Sequence, residues 1–381
     1  MTRLRYLAAL ALLPACSAGA QQGSPSAPSS TAPVPTTAPA SMPASPAAAP
    51  VPAGFSPRSA SFVSDRVGWV LGTTSDGGNG VVVATHDGGR TWTAAGTIPA
   101  RVGADLDQSR HVSRIRFLSD TVGWAYGSVA YVTRDGGATW REAPMPGGRT
   151  MVSIAASGTR TYAVLGTKPS EHLVDDGAVW TGTVGADTFT RADEAGAVLP
   201  FEDVVVRGRT VLYEVGRDYP GTSYRVSNDA GATWATRTPC AAGEDLRDVT
   251  ASTENDLVFV CDGRSTRTLR VSADGGRTVT LRLSEPRTGS GGEVAAATPA
   301  ALTRVLETEQ GNRDARLQWS GDGGRTFRDV QPVPGGVWLQ ARYVDATFGT
   351  VLRFDGQPSG VTSALYVTRD AGATWTALPV G

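Results

Sequence analysis

The sequence has no excess of either charge. Lys and Arg number 35 against 36 Asp and Glu, a formal net charge of −1. That balance excludes a global pull toward nucleic acid or an anionic membrane surface. Beyond the N-terminal region no apolar run approaches the roughly 18 residues a spanning helix needs. Cysteine is scarce, with only Cys16, Cys240 and Cys261, so the place of each one carries weight. What the chain does have is a globular share of hydrophobic residues (40%) with many glycines (46) and prolines (24).

The first residues read as an export signal. Arg3 and Arg5 precede the apolar stretch Tyr6–Ala15, which has signal-peptide length and ends in Leu-Pro-Ala-Cys at 13–16. This ending resembles the lipobox of bacterial lipoproteins, and the resemblance implies cleavage before Cys16 and lipidation of its thiol. Residues 1–15 are therefore expected to be a signal peptide. Residues 16–54 are almost only Ala, Pro, Ser, Thr, Gly, Gln and Val. Such a stretch cannot bury enough apolar surface to offset the entropy of ordering, so it is expected to be a disordered tether. As a flexible chain it would reach roughly 35 Å. The expected location is extracytoplasmic, held to the cell membrane by the lipid. Disulfides persist there, so a Cys240–Cys261 bridge is expected.

Residues 55–381 are repetitive, and a fixed period outranks other fold signals. One pattern recurs as THDGGRTW (85–92), TRDGGATW (133–140), SNDAGATW (227–234), SADGGRTV (272–279), SGDGGRTF (320–327) and TRDAGATW (368–375). Its aspartates, Asp87, Asp135, Asp229, Asp274, Asp322 and Asp370, are spaced 48, 94, 45, 48 and 48 apart. The gap of 94 is twice 47, which places a decayed copy between Asp135 and Asp229, at TGTVGADTF (181–189). Each unit carries four short strand-like runs between turn residues, as in IRFLS, VGWAYG, VAYVT and TWREA of the second unit. Seven units of four strands predict an all-β, seven-bladed β-propeller of four-stranded antiparallel blades.

The pattern S/T-x-D-x-G-x-T-W resembles the Asp box, or BNR repeat, of sialidase-like propellers, and the match spans the whole repetitive region. The resemblance implies that the box is the hairpin between the third and fourth strands of each blade. Seven copies around a ring cannot converge on one substrate, so the aspartates are expected to be structural. Asp at a turn accepts backbone N–H groups, and Gly takes positive φ at little cost.

Function is then expected on the face opposite the boxes and around the central channel. Aligning each first strand on its first buried apolar residue brings Ser61, Arg116, Ser153, Asp203, Asp248, Glu293 and Arg342 to one level. Two readings remain open: a ring that pairs with itself, and a polar recognition site at the channel mouth made by Arg116, Asp203, Asp248, Glu293 and Arg342. Trp338, before the last blade, is expected to be exposed and suited to sugar or protein contact. The loop residues Arg101, Asp105, Asp107, Arg110 and His111, then Glu171, His172, Asp175 and Asp176, and then Asp218 and Tyr219, extend the candidates. No metal and no cofactor is expected.

The alternative function is a sialidase-like or other glycoside hydrolase. It would need an arginine triad or a working carboxylate pair such as Asp203 with Asp248. The ring holds two arginines rather than three, no Arg-Ile-Pro signature is present, and catalytic sialidase propellers have six blades. The architecture is also similar to the photosystem II stability and assembly factor family, whose members hold a protein client. The expected function is therefore a non-catalytic binding or assembly module for a protein or carbohydrate ligand, monomeric and without nucleic acid.

Overall fold

A computed structural model describes residues 49–103, 110–167, 174–193, 196–198, 203–215, 223–289, 292–308, 311–357 and 360–381. Runs rich in Val, Thr and aromatic residues between Gly, Asp and Ser turns form short strands, as β-branched and aromatic side chains favour. β1 (Ser56–Phe62), β2 (Gly68–Thr73), β3 (Asn79–Thr85) and β4 (Thr93–Val102) make an antiparallel meander. So do β5 (His111–Phe117), β6 (Gly123–Gly127), β7 (Ala130–Thr133) and β8 (Arg141–Glu142). A short parallel contact between β4 and β5 joins the two meanders into one eight-stranded sheet.

The same order repeats along the chain. β9 (Thr150–Ser157), β10 (Arg160–Thr167), β11 (Val174–Thr183) and β12 (Thr190–Arg191) form the next sheet, with β13 (Gly196–Val198) added on β11. Then come β14 (Val205–Arg207), β15 (Thr210–Val215), β16 (Ser223–Ser227) and β17 (Ala235–Arg237). The fifth group is β18 (Asp245–Ala251), β19 (Leu257–Asp262), β20 (Thr266–Ser272) and β21 (Thr280–Pro286). After it come β22 (Val294–Ala296), β23 (Leu302–Thr308), β24 (Gly311–Ser320) and β25 (Arg328–Asp329). The last is β26 (Val337–Tyr343), β27 (Gly349–Gln357), β28 (Gly360–Thr368) and β29 (Thr376–Leu378). There is no α-helix among the described residues. The first meander packs against the last, through Ala60, Val70 and Val83 against Leu352 and Leu365 and through the ring pair Phe62–Phe348 at 5.2 Å. The fold is a β-propeller of four-stranded antiparallel blades.

The six repeated turns sit between the third and fourth strands of their blades, and their hydrogen bonds are the same each time. The opening Ser or Thr hydroxyl, buried in every copy, donates to the Asp Oδ1 at 2.7–2.9 Å. It also accepts the N–H of the second glycine position at 2.8–3.0 Å. The Asp Oδ1 accepts the N–H of the Thr four residues on, at 2.8–3.0 Å. The aspartate thus reaches further along the turn than the one or two residues of a simple Asx turn. These bonds hold Asp87 and Asp274 down to about 2, with the Thr N–H as the largest cause in both.

The two glycine positions differ for a physical reason. The first lies at φ +71° to +75° in the glycine copies, and Ala230 (φ 60°) and Ala371 (φ 59°) occupy it in the other two. The second lies at φ +84° to +96° and is glycine in all six. A Cβ there would come within 2.4 Å of Leu378 at Gly89 and within 2.2 Å of the Tyr224 hydroxyl at Gly276. Ala230 and Ala371 show that the first position can hold a methyl group, whereas a Cβ at the second meets the neighbouring blade.

The first position is also where blades join. Its N–H donates to the hairpin between the first two strands of its own blade, as from Gly88 to Arg66 O and from Gly136 to Thr121 O. In five of the six copies its carbonyl accepts from the preceding blade. Trp69 Nε1 donates to Gly136 O at 2.8 Å, Tyr162 OH to Ala230 O at 3.2 Å, and Asn228 Nδ2 to Gly275 O at 3.3 Å. Trp319 Nε1 donates to Ala371 O at 2.9 Å. Arg369 closes the circle on Gly88 O at 2.9 Å.

The decayed copy keeps this role. The turn between β11 and β12 has no aspartate at the motif position, yet Gly185 (φ +89°) accepts from Arg134 Nε at 2.8 Å and Phe189 is buried.

Described residues just before residue 55 add contacts to the first blade. Ala49 O accepts the Ala94 N–H at 2.9 Å, and Val51 joins the apolar cluster of the first and last blades. The expected signal peptide and Cys16 lie outside the described residues.

Ala230 holds a left-handed conformation that costs a non-glycine residue about 1–2 kcal/mol. Glycine's greater chain entropy returns part of that. Ala230→Gly is expected to raise stability by about 0.5–1 kcal/mol, and Gly136→Ala to lower it comparably. Thermal melting of both variants measures this; equal melting of Ala230→Gly and wild type would contradict it.

Candidate functional site in the central channel

First strands line the axis of a propeller, and their polar side chains are mostly engaged with one another. Several of these strands carry a register shift, at Pro57/Ser59, Val112/Arg114, Leu246/Asp248 and Leu339/Arg342. Counting back from the hairpins therefore places Ser59, Arg114, Ser153, Asp203, Asp248, Glu293 and Gln340 at one level. Arg116 and Arg342 do not belong to it. They lie with Ser61 one residue from the strand end, on the side of the repeated turns. The alignment on buried apolar residues failed because a bulge shifts the chain without changing the alternation that follows it.

This level stitches neighbouring blades. Ser59 Oγ accepts Ile115 N–H at 3.2 Å and Ser153 Oγ accepts Val204 N–H at 3.0 Å. Asp248 Oδ2 accepts Val294 N–H at 2.6 Å and Glu293 Oε2 accepts Ala341 N–H at 3.1 Å. Ser59 donates to Gln340 Oε1 at 3.1 Å, which carries the stitch across the junction of last and first blades. Hydrogen bonds to ionised acceptors are the stronger kind.

Asp203 has a different set of partners. Ser153 Oγ donates to it at 3.0 Å, Arg342 pairs with Oδ2, and Arg116 NH2 lies 3.7 Å from Oδ1. Ion pairs thus reach Asp203 from blades on either side of the first. Arg207, on β14, bonds Val206 O at 3.0 Å; burial and then the Arg116 charge lower its pKa.

On the opposite face, Asp262 at the end of β19 is fully buried under three arginines. Arg267 binds it through Nε at 2.7 Å and NH2 at 3.1 Å, Arg247 Nε lies at 3.2 Å and Arg287 Nε at 3.7 Å. Close by, Arg304 grips Glu285 with both terminal nitrogens. The sequence reading missed this group, since positions 247, 262, 267 and 287 share no local pattern. The adjacent Cys261 is bridged to Cys240, with Cα atoms 5.7 Å apart, tying an inter-blade connection to β19.

Trp338 is not exposed. It is entirely buried, tilted on Tyr366 at 5.0 Å with the Arg353 guanidinium 5.9 Å from its ring centre. The two glycines before it read as a loop, but the strand begins at Val337 and turns the indole inward. Arg110 pairs with Glu142, and Asp176 with Arg149 and Arg191. Asp105, Asp107, Glu171, His172, Asp218 and Tyr219 lie outside the described residues, as does the side chain of Asp175. Among the described residues, no group of three or more His, Cys, Asp or Glu could hold a metal ion.

Neither a family model nor a curated protein matches the chain. Solved structures do. A structure of YCF48 bound to a D1 peptide superposes with a TM-score of 0.57 at 18% identity, over 85% of this chain and 96% of that one. YCF48 from Cyanidioschyzon merolae gives 0.55 at 17% identity, over 85% and 98%. A puromycin-hydrolysing peptidase from Mycobacterium tuberculosis gives 0.59 at 14% identity, over 86% of this chain and 53% of that one. At these identities the likeness is one of fold.

One buried acid stands apart. Glu214 on β15 is 4% exposed, its Oε2 has no hydrogen-bond partner, and burial followed by the Asp248 charge raises it to about 8. The folded state holds a proton that the unfolded chain releases above its ordinary range. Stability must then fall as pH rises from about 4.5 to about 8, by up to about 1.4 kcal/mol per pH unit. Glu214→Gln is expected to melt well above wild type at pH 9 and close to it at pH 5. A pH-independent difference between the two proteins would contradict this.

Proposed function

We propose that this chain is a membrane-tethered, non-catalytic binding or assembly module, a seven-bladed propeller whose repeated turns are Asp boxes. In this reading an N-terminal lipid on Cys16 holds it at the cell envelope. The face opposite the boxes receives a protein or carbohydrate ligand. The observation that carries the non-catalytic part is the engagement of the channel carboxylates. Asp203 is neutralised by arginines, while Asp248 and Glu293 hold the backbone of neighbouring strands. A glycosidase needs one carboxylic acid and one carboxylate turned toward the substrate. Glu214 is too enclosed for that role.

The likeness to YCF48 bound to a D1 peptide supports a propeller that holds a polypeptide rather than one that cuts a sugar. The group around Asp262 supports an acidic ligand. Arg287, partly exposed beside Asp262, and the exposed Arg264 present guanidinium groups on that face.

The test is affinity capture from native envelopes with the full chain, its Arg264→Glu/Arg287→Glu variant, and an Arg277→Glu/Arg325→Glu control on the box side. Arg264 is exposed at the β19–β20 hairpin. The expected outcome is one partner retained by wild type and control and lost by the first variant at unchanged melting temperature. Release of sialic acid or reducing sugar from glycans by the wild type would overturn the proposal.

A further inference from the structure

The box end of the channel carries charge that the stitching does not use. Arg116, Arg207 and Arg342 come from three blades, and one carboxylate, Asp203, sits among them. Arg342 takes one of its oxygens closely, and Arg116 reaches the other only at 3.7 Å. Arg116 is walled in by protein, yet 19% of its side chain stays accessible, as for a group lining a narrow wet passage. Its Nε is buried with no hydrogen-bond partner. Arg207 bonds its neighbour's carbonyl and forms no ion pair among the described residues. Asp248 and Glu293, at the level of Asp203, are turned to the backbone of β22 and β26. Among the described residues these desolvated guanidinium groups outnumber their counterions by two, which makes a site for a doubly charged anion, because planar N–H forks match oxyanion edges.

We propose that the channel binds one inorganic oxyanion of the phosphate or sulfate type between Arg116, Arg207 and Arg342, on the box side of Asp203. This site lies away from the Asp262 face and does not depend on any ligand there. Three of the seven blades meet the anion through it, so occupancy locks the ring across its axis. Asp203 is a competitor of the anion, since both claim Arg116 and Arg342. That competition separates a binding site from a merely structural ion pair.

The experiment is calorimetric titration of inorganic phosphate, and separately of sulfate, into the full chain purified free of both, with chloride at matched ionic strength as reference. Thermal melting of the same samples is recorded alongside. The expected result is saturable binding of one anion per chain and a melting temperature that rises with occupancy. Arg116→Gln should weaken binding by about 10-fold or more, and Asp203→Asn should tighten it by about 10-fold, the effect of about 1.4 kcal/mol. The opposite signs guard against misfolding, which can only weaken. No saturable binding, binding equal to that of chloride, or an Asp203→Asn variant that binds more weakly would each overturn the proposal.

Discussion

The structure depends on one peptide unit repeated around the ring. At the tip of each Asp-type turn, the N–H of the first glycine position holds the turn to its own blade. In five of the six turns the carbonyl of the same residue receives a side chain from the blade before. A propeller blade cannot bury both faces alone, so every inter-blade contact decides whether the ring exists. The aspartate does not touch the neighbour at all. It shapes the turn, through the Thr N–H four residues on and the buried hydroxyl, so that the tip carbonyl projects where the neighbour needs it. The donors differ from blade to blade, being Trp, Tyr, Asn or Arg, while the acceptor stays in place.

This explains why the fold was readable and the site was not. The turn pattern is local: hydroxyl, aspartate, glycine and threonine lie within seven residues, and their period exposes the blades even across the 94-residue gap. The decayed copy survives because Gly185 preserves the tip carbonyl after the aspartate is gone. The channel level is assembled from strands tens of residues apart, and its register depends on bulges that leave the apolar alternation intact. Arg114 and Gln340 were invisible for that reason, and Arg116 and Arg342 were placed one step off. Trp338 looked exposed beside Gly335 and Gly336, and only the packing of Tyr366 and Arg353 shows it is core. The Asp262 group has no spacing signature, since its members come from β18, β19, β20 and the end of β21, strands separated along the chain.

The polar interior follows one rule with two exceptions. Most first-strand polar groups are satisfied by the next strand, which turns a potential cost of burial into an inter-blade bond. The exceptions, Glu214 and the arginines about Asp203, are where pH and anions are expected to act on the ring. Closure needs no shared strand. Ser59 with Gln340, Ser56 with Ser363 at 2.9 Å, and Arg369 on Gly88 bring the ends together by the same contacts used elsewhere.

Hydrogen exchange on the full-length Asp135→Ala chain tests the central claim most directly. If the aspartate serves to aim the tip carbonyl at the preceding blade, exchange must quicken in the turn after β7 and also in β2, where Trp69 donates to Gly136. Faster exchange confined to residues 133–142, with β2 as protected as in wild type, would contradict it.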